Sequence, residues 1–109
     1  MSSSQMLKGI LEGCLLSIIG KGDVYGYEMI EKLDSYGFSM VSEGSIYPLL
    51  LRMKKEGWVT TTQKPLPSGG PKRKYYSLTD KGEEELEQFK KRWTKMSGSV
   101  NELLREEEK

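Results

Sequence analysis

Apolar residues recur at Met6, Leu7, Ile10, Leu11, Cys14, Leu15, Ile18 and Ile19, a spacing of three and four that predicts a helix over Gln5 to Ile19. Its apolar face is broader than one side of a small core requires, so part of it is expected to meet a second subunit. Ser2, Ser3 and Ser4 stand ahead of it as capping candidates, and Gly20 and Gly22 end it. Asp23 is placed to cap a second helix through Tyr27, Met29, Ile30 and Leu33, which Gly37 stops with a positive φ. A third helix follows Ser42, aligns Ile46, Leu49, Leu50 and Met53 in one stripe, and stops at Gly57. Tyr47, Leu51 and Lys54 fall on its other side. Pro48 has no N–H for the carbonyl of Gly44, which moves the expected start to Gly44 or Ser45, with local distortion.

The pattern then changes period. Trp58 to Thr62 and Lys74 to Leu78 are β-rich runs, and the Pro- and Gly-containing stretch from Gln63 to Arg73 predicts an extended basic loop between two short strands. From Thr79, a cap ahead of the acidic first turn at Asp80, Glu83 and Glu84, helical spacing returns. Leu86, Phe89, Trp93, Met96, Val100 and Leu103 form a heptad seam that the small core cannot cover, and dimerisation buries it most simply. Ser97-Gly98-Ser99 marks an expected kink or early end, and Arg105 to Lys109 an expected fraying tail. The expected fold is mainly α with a small β hairpin. Residues 1–78 form a winged helix-turn-helix domain, and residues 79–109 form a long C-terminal dimerisation helix. The dimer interface is expected at Met6, Leu7, Ile10, Leu86, Phe89, Trp93, Met96, Val100 and Leu103.

With 109 residues the chain supports one core rather than two independent domains. Its lone cysteine, Cys14, sits in an apolar run and reads as a buried thiol, which excludes an internal disulfide framework. No stretch approaches the ~20 apolar residues of a membrane span, and Glu12 interrupts the first apolar run, so neither a span nor a signal peptide is expected and the protein is placed in the cytoplasm. The sequence has no His, no metal-ligand spacing and no phosphate-cradling glycine loop after a strand, so no enzyme activity, metal or cofactor is expected. Net charge is +1, but residues 52–78 carry seven Lys and Arg against one Glu. That concentration suits a polyanion bound over one region.

A third helix of this kind fits the major groove. Ser42, Gly44, Ser45 and Tyr47 lie at its N-terminal end, where Gly permits close approach, Ser donates to phosphate or base edge, and the Tyr ring contacts sugar or a thymine methyl while its hydroxyl contacts phosphate. Glu43 is admissible there as a cap or as an acceptor from cytosine. Lys54 and Lys55 reach flanking phosphates, while Lys64, Lys72, Arg73 and Lys74 arm the wing and its roots. Double-stranded DNA is therefore the expected partner, and a winged-helix protein-interaction module without specific DNA binding is the alternative. Trp93 is read first as interface packing. As a second reading, paired Trp93 rings border an apolar space, with Cys14, Phe89 and Met96, that takes a flat aromatic effector. Trp58 reads as core.

The segments Tyr25-Gly26-Tyr27-Glu28, Glu43 through Leu50 with Arg52 and Met53, Glu56-Gly57-Trp58-Val59, and Gly70 through Gly82 together resemble the PadR-like transcriptional regulators. The resemblance implies a bacterial winged helix-turn-helix repressor of the small subgroup with a single C-terminal helix. It also implies dimers formed through the first and last helices. The resemblance further implies what holds for some members of that subgroup: a central pore that binds flat hydrophobic compounds, with a tryptophan in the place of Trp93, and ligand binding that releases the operator of neighbouring genes, often including the regulator's own and sometimes those of drug-efflux transporters. The family's DNA contacts carry over to Ser45, Tyr47, Lys54, Lys72 and Arg73.

Overall fold

The computed structural model describes residues 3–107; Ser2 among the capping candidates and the last two residues of the tail lie outside them. The order is α1 (Ser3–Lys8), α2 (Leu11–Gly20), β1 (Val24–Tyr25), α3 (Gly26–Ser35), α4 (Glu43–Lys55), β2 (Val59–Pro65), β3 (Lys72–Leu78) and α5 (Asp80–Glu107). The single helix expected over Gln5 to Ile19 is broken at Gly9 and Ile10. Glycine weakens a helix interior, and the Ile10 N–H turns back to the Leu7 carbonyl at 2.9 Å. The turn brings Leu7 into the chain's own core, only 4% exposed, and so away from the dimer interface expected of it.

That core is built from Leu15, Leu16 and Ile19 of α2, Met29 and Leu33 of α3, and Ile46, Leu50 and Met53 of α4, closed by Val24, Val59 and Tyr76 of the sheet. The sheet has three antiparallel strands in the order β1-β3-β2, one more than the hairpin expected. The added strand pairs Val24 with Tyr76 and Tyr25 with Tyr75. It displaces Asp23 from the helix-capping role expected of it: the Glu28 carboxylate accepts from the Tyr25 N–H at 3.2 Å, while Asp23 accepts from Ser77 Oγ at 2.8 Å.

The hairpin is also longer than expected. Its register runs from Val59 opposite Leu78 to Pro65 opposite Lys72, so the irregular tip is confined to residues 66–71, where Gly69 and Gly70 take positive φ. Pro65 is tolerated because it closes the ladder on an outer strand, where no further donor is needed.

α5 is continuous through Ser97-Gly98-Ser99, without the expected kink, and extends beyond Arg105 to Glu107. The Ser97 and Ser99 hydroxyls donate back to the Thr94 and Lys95 carbonyls, which removes their competition with the helix. Thr79 fixes its start: Thr79 Oγ1 accepts from the Gly82 N–H at 3.0 Å and donates to the Gly57 carbonyl at 2.6 Å. Leu86 and Phe89 then pack on the body, with the Phe89 ring lying against Gly13.

Two α5 glycines give opposite predictions. A methyl at Gly82 would run into the Trp58 carbonyl oxygen and the Leu78 side chain, whereas nothing lies near a methyl at Gly98. Ala is worth ~1 kcal/mol over Gly in a helix, and overpacking against a backbone atom costs about 1–3 kcal/mol. Thermal denaturation should therefore show Gly82→Ala melting several degrees below the parent and Gly98→Ala melting above it.

Candidate nucleic-acid interface

α3 and α4 meet through a turn that the sequence specifies locally. The Phe38 N–H bonds to the Leu33 carbonyl and the Gly37 N–H to the Asp34 carbonyl, both at 2.9 Å, with Gly37 at φ +95°. This is the paired C-terminal closure that needs a left-handed residue, and Gly supplies it without strain. Phe38 and Val41 then anchor the turn on the core, which sets the angle at which α4 leaves.

α4 starts at Glu43, one or two residues earlier than expected, and keeps Pro48 within it. The carbonyl that Pro48 leaves without an intrahelical donor belongs to Gly44, an exposed residue, so water can satisfy it. The Ser42 and Ser45 hydroxyls lie 3.2 Å apart on the surface at this end. Tyr47 is set by its neighbour: its hydroxyl and ring edge rest against the backbone of Gly26, where any Cβ would lie 2.7 Å from the oxygen. This explains Gly26, which sequence reasoning had not assigned to the site. Tyr25, Gly26, Tyr47, Arg73, Lys74 and Tyr76 line a cleft of about 210 Å³ between α4 and the hairpin.

Strand alternation divides the basic cluster. Lys72 and Lys74 share the Tyr76 side of β3, the side facing α4, and neither makes an ion pair among the described residues. Arg73 lies on the opposite side and borders the same cleft from its edge. Lys64, expected as a free wing cation, is held on that opposite side, 3.7 Å from Asp23 and 4.4 Å above the Tyr75 ring. Within α4, Lys54 donates to Thr61 Oγ1 of β2 at 3.1 Å, and Lys55 is exposed without a partner among the described residues. Arg52 is occupied with structure: it forks onto Glu12 of α2 at 3.0 and 3.1 Å and stacks 5.3 Å from the Trp58 ring. The hydrogen bond and charge of Glu12 hold its proton still more firmly than usual. Residues 52–78 therefore offer a smaller free positive footprint than the charge count suggested.

On α5 the seam beyond Phe89 is open, with Trp93, Met96, Val100 and Leu103 exposed. Ile10, Gly13, Leu16, Phe89, Trp93 and Met96 border a hollow of about 200 Å³. Cys14 does not join them, contrary to expectation. It lines a separate apolar hollow of about 240 Å³ with Ile18, Leu33, Tyr36 and Phe38, and Phe89 stands between the two. Burial pushes its thiol pKa up, so the thiolate is disfavoured. No group of His, Cys, Asp and Glu able to hold a metal occurs among the described residues.

Burial, and secondarily the neighbouring Tyr47, raises the Tyr76 phenol above the ordinary tyrosine value near 10. Above that pH the unfolded chain releases the proton before the folded one, so the folded state binds more protons and stability falls as pH rises. Urea unfolding at pH 9 and pH 10.5 should show this loss. Tyr76→Phe should reduce it without abolishing it, because the Tyr25 pKa is raised in the same direction.

The sequence model of the transcriptional regulator PadR-like family matches residues 15–88. A PadR-like transcriptional regulator from Bacillus cereus strain ATCC 14579 is 60% identical, with a TM-score of 0.85 over 92% of this chain and 96% of that one. A Streptococcus transcriptional regulator is 42% identical, with a TM-score of 0.82 over 91% and 96%. Bacillus subtilis PadR, solved in complex with operator DNA, is 27% identical, with a TM-score of 0.63 over 73% of this chain and 46% of that one.

Proposed function

This chain belongs to the PadR-like family of transcriptional regulators, and we propose that it acts as a homodimeric repressor that binds duplex DNA in the cytoplasm. The observation that carries the reading is one shared cleft: Tyr47 of α4 lines it together with the hairpin cations Arg73 and Lys74, Lys72 lies on the same side of β3 as Lys74, and Ser42, Gly44 and Ser45 are exposed at the N-terminal end of the same helix. α4 supplies the groove-sized element, Lys54 and Lys55 the flanking phosphate contacts, and the tip at residues 66–71 the reach into the minor groove. The relative solved with operator DNA supports the same use of the fold. Pairing uses the open seam of Trp93, Met96, Val100 and Leu103, with half-buried Ile10 beside it and exposed Met6 as a further contact. Among the described residues no helix is long and apolar enough to cross a membrane.

The operator is first located by footprinting DNA upstream of the protein's own gene. Lys72→Glu with Arg73→Glu should then bind the protected segment far more weakly, and the slope of log affinity against log salt should fall by about two. A protein-interaction module without DNA binding would give neither effect.

The second part of the proposal is an effector. The hollow beside Trp93 has apolar walls with Glu85 and Arg92 at its rim, which suits a flat hydrophobic compound stacked on the indole, and two such hollows adjoin when the seams pair. Occupation changes the set of the α5 helices and so the spacing of the two α4 helices, which releases the operator. The parent chain should sediment at twice the monomer mass, and Trp93→Ala should bind a flat aromatic cation at least tenfold more weakly. Unchanged binding would remove Trp93 from the effector site.

A further inference from the structure

The residues of α4 farthest from the core include two that its charge and hydroxyl content does not draw attention to. At about 100° per residue, the direction opposite buried Ile46, Leu50 and Met53 is occupied by Gly44, Pro48, Leu51 and Lys55, spaced four, three and four apart. Tyr47 and Lys54 lie to one side of this crest, against the cleft and β2, while Ser45 and Arg52 lie to the other. The crest is apolar in its middle. Leu51 is 57% exposed and Pro48 is exposed beside it, although nothing in the fold requires an apolar residue at either place.

We propose that Leu51, supported by Pro48, is a specificity-determining residue that reads the 5-methyl group of thymine in the major groove. The inference rests on the DNA-binding reading above and deepens it. Among the base edges of the major groove, the thymine methyl is the apolar group, and a branched aliphatic side chain is its chemical complement. Gly44, exposed and without a side chain, lets the same crest approach closely at its N-terminal end, where a Cβ would meet only the Ser42 hydroxyl, at 3.7 Å. Lys55 ends the crest and Lys54 flanks it, so the apolar stretch carries positive charge at its C-terminal end, which suits a ridge seated between phosphates. One leucine and one proline also fall well short of the roughly 800 Å² that each partner contributes to a stable protein interface.

The test uses the full chain and the footprinted duplex, synthesised with thymine or with deoxyuridine at each protected position in turn. Uracil removes only the methyl and keeps every hydrogen-bonding group. Burying one methyl corresponds to about three- to fivefold in affinity. The parent chain should lose about that much at one or two positions per half-site. Leu51→Ala, whose thermal unfolding should match the parent's, should bind the thymine duplex more weakly by a similar factor and lose nothing further on uracil substitution at those positions. Equal uracil sensitivity in parent and variant would assign the methyl to another residue and overturn the proposal, as would a parent chain indifferent to uracil at every position. If the parent failed to bind the thymine duplex at all, the DNA-binding reading would fall and this inference with it. If binding survived with unaltered uracil profiles, only the role of Leu51 would.

Discussion

The direction of every exposed residue on α4 follows from the burial of three others. Ile46, Leu50 and Met53 are each at most 1% exposed, and burying side chains of this size stabilises by roughly 1.5–3 kcal/mol apiece. A rotation of the helix large enough to bring Arg52 or Ser45 to its crest would expose part of that stripe to water. The fork of Arg52 onto Glu12 adds a directional constraint to a non-directional one, because its two hydrogen bonds hold only at one rotation of α4 relative to α2. Being exposed, this pair contributes more to orientation than to stability.

A second constraint joins the hairpin to the seam helix. Thr79 receives the first turn of α5, donates to the turn that ends α4, and its own N–H bonds to the Trp58 carbonyl at 3.0 Å. The end of α4, the start of β2 and the start of α5 therefore converge on one residue, with Gly82 allowing the close approach. The strands and the seam helix share this junction, so the set of α5 is tied to that of the hairpin and of the end of α4. Leu86 beside Gly20 and the Phe89 ring against Gly13 provide the next contacts, so α5 is held at three places before it leaves the body.

Much of this was legible in the sequence because it is periodic. The stripe of α4, the core role of Trp58, the left-handed stop at Gly37 and the seam from Leu86 to Leu103 each follow from spacing or from a residue with one physical use. Features without a period stayed hidden. β1 has two residues, too few for alternation, and its pairing depends on β3 partners 50 and 52 positions away. Gly9 looked tolerable within a strong apolar pattern, because the gain from turning Leu7 inward is tertiary. The hairpin was underestimated because Lys64, Lys72 and Arg73 have no apolar alternation to declare them strand, and pairing across the tip supplies their order instead. The separation of Cys14 from Trp93 depends on which side of α2 the Phe89 ring occupies, a matter of packing that spacing leaves open. The apolar crest of α4 was partly visible: Leu51 read as outward-facing, but Pro48 stood out only as a disruption.

The length of α5 makes it a lever. At ~1.5 Å per residue its 28 residues span about 42 Å, and the arm that projects from the body beyond the Phe89 contact is about 27 Å of that. Each degree of tilt about that contact moves the far end by about 0.5 Å, a distance set by the arm's length alone. Local jostling at the distal end thus reaches the strands strongly reduced, while a swing of the whole rod reaches them directly. The geometry filters out small disturbances at its tip and passes on only collective motion.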